Sequence, residues 1–321
     1  MAMKISVMIE GMAGLTWPRW QRLIEAVEQL GFAGLFRSDH FTLIAPPDLD
    51  SLEMVVSLTY AATHSQHIHF GPLVAPFSFR DPIMLARQAM AIDDLSGGRM
   101  ILGVGAGWQE REHTMFGYNL GDMPTRLARF EEGLEVIAAL VRSDEPVDFQ
   151  GRFYQLRGAH LLPRPQRTTP ILIGGNGPKR TLPLVARFAD IWNCHGVGPD
   201  VFKERSALLD ELLRSQGRTP GDVKRTVMHP AICWHDAAGR ERRLGQLCGA
   251  NAPFSGLSYD AVSDILRNAL GATLGTPETI IEQMRAFAAA GAEELVIQWW
   301  GLDDMEGLEM LAEDVMPYVT A

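Results

Sequence analysis

The sequence predicts an α/β chain folded as a (β/α)8 TIM barrel, and three observations carry that expectation. Short apolar runs alternate with helical segments eight times, the pattern of parallel strands joined by crossover helices. No linker-like stretch and no internal repeat interrupts the 321 residues, so a single domain over 1–321 is expected. The Gly-rich turns also stand in the wrong places for the competing doubly wound sheet, which carries G-x-G-x-x-G after its first strand. Glu10-Gly11-Met12-Ala13-Gly14 does not fit that pattern, and Gly103-Val104-Gly105-Ala106-Gly107 resembles it only loosely.

Taken in order, Lys4 to Ile9 reads as the first strand. Trp17 to Leu30 reads as a helix, because Trp20, Leu23, Ile24, Val27 and Leu30 recur at helical spacing behind Thr16 as N-cap and Pro18. Phe32 to Phe36 is a strand, Ser51 to Thr63 a helix and Ile68 to Ala75 a strand. Pro82 opens a helix to Leu95, and Ser96-Gly97-Gly98 stops it before a strand at Arg99 to Val104. The fourth helix starts at Pro124 or Thr125 and runs to about Arg142. Between Ser143 and Thr169, five residues of Pro and Gly break the rhythm, which predicts an insertion of short extended pieces placed as a lid.

Ile171 to Ile173 is the fifth strand, Pro178 to Phe188 a helix, Asp190 to Asn193 a strand and Pro199 to Gln216 a helix. Arg225 to Trp234 follows as the seventh strand. The region of about 236–275 reads as extra helices, one near Arg240 and one over about Tyr259 to Ala269, around a Gly/Ser/Pro-rich loop from Pro253 to Leu257. Thr276-Pro277-Glu278 opens a helix to Ala290; Glu294 to Gln298 is the eighth strand, and Met305 to Val319 the last helix.

Composition narrows the class. A chain 46% hydrophobic and 21% charged is that of a globular enzyme, and a net charge of -10 argues against a nucleic-acid surface. Three widely spaced cysteines indicate a reducing compartment and no disulfide framework. No CxxC or HExxH spacing suggests a metal, and no signal peptide or membrane span is apparent, so a cytoplasmic protein is expected.

In a barrel, reacting groups lie at the C-terminal strand ends. Those ends hold Glu10, Asp39-His40, Val74-Ala75, Gly105 to Trp108, Gly174 to Gly177, Asn193-Cys194 and Gln298-Trp299. The set is rich in glycine, aromatics and amides and poor in carboxylates. It suits a flat cofactor that brings its own reactivity. Gly174-Gly175-Asn176-Gly177 follows a buried strand and precedes Pro178, with Lys179, Arg180 and Thr181 expected in a first helical turn. Cations there oppose the helix dipole, a misfit that a docked phosphate resolves; an ordinary turn with solvated cations is the alternative. His40 is the candidate for proton transfer, with Asp39 to orient it or to bind a cofactor hydroxyl; packing and capping roles are the alternative. Trp108, Trp192, Trp299 and Trp300 are candidates for an apolar pocket wall, or for core. His113, His160, His195, His229 and His235 show no ligand spacing and read as surface or core.

These strand ends resemble those of the bacterial luciferase-like oxidoreductases, in particular the branch using the deazaflavin coenzyme F420. The resemblance covers nearly the full length. It is carried by Ser38-Asp39-His40-Phe41, by Asp93-Asp94-Leu95-Ser96-Gly97-Gly98-Arg99 and by Leu102-Gly103-Val104-Gly105-Ala106-Gly107-Trp108. Gly174 to Gly177 with Arg180-Thr181-Leu182, and Ala189-Asp190-Ile191-Trp192-Asn193, complete it.

The resemblance implies a cofactor ring at the strand ends. It also implies a non-proline cis peptide at Leu73-Val74 or its neighbour, and a phosphate over Gly175 to Gly177. It places Asp39 and His40 against the ring or the substrate, and Gly107 and Trp108 where relatives differ by substrate. Sugar-phosphate dehydrogenases of the family carry an acid where Trp108 stands and an aromatic where Ile44 stands; both are missing here, which argues against that substrate. A homodimer packed through the second and third helices is also implied. The expected activity is hydride transfer between F420 and a small organic substrate. A monooxygenase of the same fold, using FMN and molecular oxygen, is the rival, and a non-catalytic cofactor-binding protein is a third reading.

Overall fold

The apolar runs form the staves of a barrel and the amphipathic segments form its outer ring. The computed structural model describes residues 3–250, 254 and 256–319. Its first half comprises β1 (Lys4–Ile9), α1 (Trp17–Gln29), β2 (Gly34–Arg37), α2 (Met54–His64), β3 (His69–Pro72), β4 (Ala75–Pro76), α3 (Pro82–Leu95), β5 (Leu102–Gly105), α4 (Glu110–Phe116) and α5 (Met123–Arg142). There follow β6 (Val147–Gln150), β7 (Gln155–Ala159), β8 (Ile171–Gly174), α6 (Thr181–Phe188), β9 (Ile191–His195), α7 (Pro199–Ser215) and β10 (Lys224–Cys233). The chain continues through α8 (Ala237–Ala250), α9 (Tyr259–Leu270), β11 (Thr273–Gly275), α10 (Pro277–Ala289), β12 (Glu294–Trp299) and α11 (Met305–Met310). A π-helical turn, Leu311–Val315, leads on to α12 (Met316–Val319).

Strand order is β3-β2-β1-β12-β10-β9-β8-β5-β4, all parallel, with β11 added to β10. β3 and β4 are two halves of one stave: β3 pairs with β2 and β4 with β5. A bridge from Phe70 to Met100 closes the remaining gap. The stave is interrupted at Leu73-Val74, whose peptide bond is cis, where the family resemblance places such a bond.

Inside the barrel Met8, Phe36, Leu73, Ile101, Leu172, Ile191 and Val296 pack together beneath the C-terminal strand ends. Outside it, the helices bury the stripes their spacing foretells: Trp20, Leu23, Ile24 and Val27 of α1 are all buried. Each such side chain contributes on the order of 1.5–3 kcal/mol. Asp81 caps α3 by accepting from the Met84 amide at 2.9 Å, and Asp122 caps α5 by accepting from the Thr125 amide at 2.8 Å. The Asp93–Arg99 motif is structural. Asp93 accepts from the Met100 amide, Thr169 and Arg167, while Arg99 donates to the carbonyls of Ala62, Ser65 and Ile68.

Three expectations need correction. The insertion is no lid: β6 and β7 form an antiparallel hairpin whose Leu156 packs on Val136 and Leu140 of α5, along the barrel flank. The helix expected from Pro178 begins at Thr181, because Pro178 to Arg180 form a turn and the Thr181 and Leu182 amides both donate to the Gly177 carbonyl. The stretch between Trp108 and Pro124, for which the sequence predicts no element, contains α4, ended by Gly117 at φ 73°. Of the loop expected from Pro253 to Leu257, Pro253 and Ser255 lie outside the described residues. No helix among the described residues is long and apolar enough to cross a membrane.

Candidate active site

A cavity of about 520 Å³ opens at the C-terminal strand ends. Met8, Leu73, Val74 and Met228 form its floor, above the barrel core. Glycines make the floor possible. A Cβ on Gly105 would lie 2.6 Å from Val74 Cγ2 and one on Gly174 would lie 3.3 Å from Val74 Cγ1, so their absence leaves Val74 free to project between the strand ends. Gly107 has φ +83°, and a Cβ there would fall 2.1 Å from Ser78 Oγ; any other residue would distort this wall.

His40, just beyond β2, also lines the cavity. Its Nδ1 donates to Glu112 Oε1 at 2.8 Å, and the other oxygen of Glu112 accepts from the Phe41 amide at 2.9 Å. Glu112 is buried in α4. The imidazole edge meets the Trp108 ring at a centroid distance of 5.5 Å. Nδ1 is thereby committed, and Nε2 is the nitrogen available for proton transfer. Burial pushes the imidazole down, but the hydrogen bond and charge of Glu112, with the charges of Glu10 and Asp39, outweigh it and hold His40 above its ordinary value of 6.5.

It follows that Glu112→Gln, which keeps an acceptor but removes the charge, will lower the His40 pKa. Proton NMR titration of the His40 ring, or the corresponding limb of the pH–rate profile, will show the midpoint moving to lower pH. An unmoved midpoint would mean Glu112 does not set the charge of His40.

The sequence-derived site residues divide into two groups. Glu10, His40, Val74, Gly105, Ala106, Gly107, Trp108, Gly174 and Asn193 come together at the cavity. Gln298 supports it from one side, donating to Glu10 Oε1 at 2.7 Å. Others are placed elsewhere. Asp39 does not line the cavity: Arg80 binds its carboxylate through Nε and Nη2 at 2.8 and 2.7 Å, so Glu112 orients His40 instead. Ala75 is fully buried in β4. Trp192 is fully buried, stacked on Phe202, and donates to the Gly175 carbonyl at 2.7 Å. Ile44 is 66% exposed on an outer loop, and Trp299 faces a neighbouring cavity. Met12, Ser38, His195 and Met228 also line the site: in the sequence Ser38 counts only as part of the resemblance motif, His195 reads as surface or core, and nothing marks Met12 and Met228. Desolvation keeps His195, on the rim, below its ordinary pKa.

Gly175, Asn176 and Gly177 sit beside the cavity as a loop. The Gly175 amide donates to Asn193, but the amides of Asn176, Gly177, Lys179 and Arg180 have no acceptor among the described residues. Lys179 and Arg180 are exposed, form no ion pair with a described acid, and line a groove against α5. Thr181 packs its side chain beneath Gly175 and Gly177.

The site is thus a glycine-walled cavity with one clamped histidine and free amides beside it, and its relatives make the chain an oxidoreductase. The profile described as luciferase-like monooxygenase matches residues 3–294, and the chain belongs to that family. It is 27% identical over 305 residues to an F420-dependent glucose-6-phosphate dehydrogenase of Microbacterium testaceum, covering 90% of each chain. It is 27% identical to the 4-hydroxyprotoasukamycin monooxygenase of Streptomyces nodosus subsp. asukaensis, over 82% of this chain and 68% of that protein. In structure it matches an F420-dependent secondary alcohol dehydrogenase in complex with an F420-acetone adduct, with a TM-score of 0.84, 19% identity and full coverage of both chains.

Proposed function

We propose that the chain transfers a hydride between coenzyme F420 and a small organic substrate, an alcohol, imine, enone or similar compound. The observation that carries this reading is the pairing of His40 with Glu112 at the glycine-walled cavity. The residues fit a flat ring with an anionic tail. Gly105, Gly107 and Gly174 keep one wall free of side chains, and four unpaired amides with Lys179 and Arg180 suit a phosphate.

When bound, the deazaflavin would supply or take up the hydride. The chain contributes position and proton handling. Holding the reactants together is worth about 7–11 kcal/mol when the geometry is right. Nε2 of His40 accepts or returns the proton of the substrate heteroatom, while Glu112 fixes the tautomer and stabilises the imidazolium. Trp108 and Met12 form the apolar wall on the substrate side. Because the resemblance puts Trp108, which lines the cavity, where the sugar-phosphate dehydrogenases carry an acid, a sugar phosphate is not the proposed substrate. A cytoplasmic homodimer belongs to the same reading; Val56 of α2 and Met84 and Leu95 of α3 are exposed apolar residues for its interface.

Fluorescence titration of the apo-protein with F420 and, separately, with FMN tests the proposal. F420 is expected to bind and to be turned over with members of an alcohol, imine and enone panel. Binding of FMN alone would overturn it in favour of the monooxygenase reading, and F420 binding without turnover over the panel would favour a non-catalytic role.

A further inference from the structure

A second cavity, of about 320 Å³, lies beside the first at the ends of β10 and β12. The two are neighbours on the chain: Met12 lines one and Ala13 the other, and Met228 and Ala231 of β10 divide in the same way. Ile232, Leu247, Trp299 and Trp300 form its apolar side, and Arg19, Gln246, Asp303 and Asp304 line the remainder. Into it α8 brings Arg243, which is only 4% exposed. Nε of Arg243 donates to Asp304 Oδ2 at 2.9 Å, but Nη1 and Nη2 are buried with no hydrogen-bond partner among the described residues.

The surrounding charges do not complete the guanidinium. Asp304 also caps α11, accepting from the Gly307 amide at 2.9 Å. Glu306, exposed, is bound by Arg242 at 2.8 Å and approaches Arg243 Nη2 only to 4.0 Å. At the far rim Asp303 is taken by Arg19 and Arg22. Arg19 and Arg22 thus share Asp303, Arg242 takes Glu306, and only Asp304 is left to bond Arg243. A buried cation with four unmet N–H donors is costly, and a ligand that meets them is favoured. Two parallel donors on a planar fork match a carboxylate bidentately, and the tryptophan and isoleucine walls match a hydrocarbon body.

We propose that Arg243 binds the carboxylate of a small organic acid whose apolar body lies against Ile232, Trp299 and Trp300. This inference deepens the proposed hydride transfer and rests on it for one clause only: that the acid so anchored is the substrate, extending from this cavity toward His40. The class of substrate is then an acid bearing its reducible or oxidisable carbon some distance from the carboxylate.

The test is calorimetric titration of the full-length protein with benzoate and cyclohexanecarboxylate, against their neutral carboxamides and against inorganic phosphate. Quenching of tryptophan fluorescence supplies a second readout. The carboxylates are expected to bind at least tenfold more tightly than the carboxamides, and Arg243→Met to abolish that difference. Arg243→Lys, which keeps the charge without the fork, is expected to retain only part of it, and decides the matter should Arg243→Met fail to fold. Equal binding of acid and amide, no binding of either acid, preference for phosphate, or an unchanged profile in the variants would overturn the proposal. Binding is read without cofactor or turnover. Failure of the hydride-transfer reading would therefore leave this result standing, and loss of carboxylate binding would leave that reading standing.

Discussion

Replacing His40 with alanine will lower turnover by about 10²–10⁴-fold, the range that a positioned proton-transfer group supplies, while F420 affinity stays unchanged. The expectation follows from the wall of the cavity. The His40 ring is held by Glu112 at Nδ1 and lies edge-on to the Trp108 ring, which leaves Nε2 as the atom proposed to move the proton. Glu10, the carboxylate lining the same cavity, is engaged by Gln298, and Asp39 is held by Arg80. Neither carboxylate is therefore free to take over once the imidazole is gone, and His195, the other histidine lining the cavity, stands only at its rim. Steady-state kinetics and fluorescence titration on the same preparation separate the two effects. Turnover equal to that of the unaltered protein would remove His40 from the mechanism.

Replacing Glu294 with glutamine will destabilise the fold by about 3 kcal/mol near neutral pH, the lower end of the cost of breaking a buried ion pair. Glu294 lies at the other end of the barrel, at the start of β12, and is 2% exposed. It accepts from His69 Nε2 at 3.0 Å and from Ser6, and it pairs with Lys224. The lower end of the range applies because Lys224 keeps 28% of its side chain in solvent and can be hydrated. Burial pushes the carboxyl up, yet the hydrogen bond and charge of His69 and the charge of Lys224 prevail and bring it down to about 2.

A folded pKa below the unfolded one gives stability that is complete above the ordinary glutamate value of 4.5 and is lost as pH falls toward 2. Urea denaturation of both proteins at intervals from pH 7 to pH 2.5 will show the two midpoints far apart at neutral pH and converging in acid. Coincident midpoints at pH 7 would refute the role assigned to the pair.

Much of this architecture could be read before any coordinates. Period and punctuation are local properties: the apolar stripe of α1, Pro82 opening α3 and the glycines after β5 and β8 act over a few residues, and those elements stand where expected. Placing strand ends at one rim is a property of the barrel topology, so Glu10, His40, Gly105 to Trp108 and Gly174 could be nominated together. Local pattern failed where a short helix, α4, lacked an apolar stripe long enough to register, and with it went Glu112. It failed again where side chains on one strand alternate direction: Trp192 and Asn193 are neighbours, but one packs on Phe202 and the other lines the cavity.

By itself, then, the sequence determined the alternation of strand and helix, the rim at which chemistry can occur, and the glycines that keep that rim open. Only the tertiary structure decided which groups meet there. Glu112 reaches His40 across 72 positions, Arg80 takes Asp39 out of the site across 41, and Arg243 is left with its donors unmet. The physical reason is range. Periodicity and capping are fixed by neighbours three or four residues away, whereas ion pairs and cavities are fixed by whichever elements the closed barrel brings side by side.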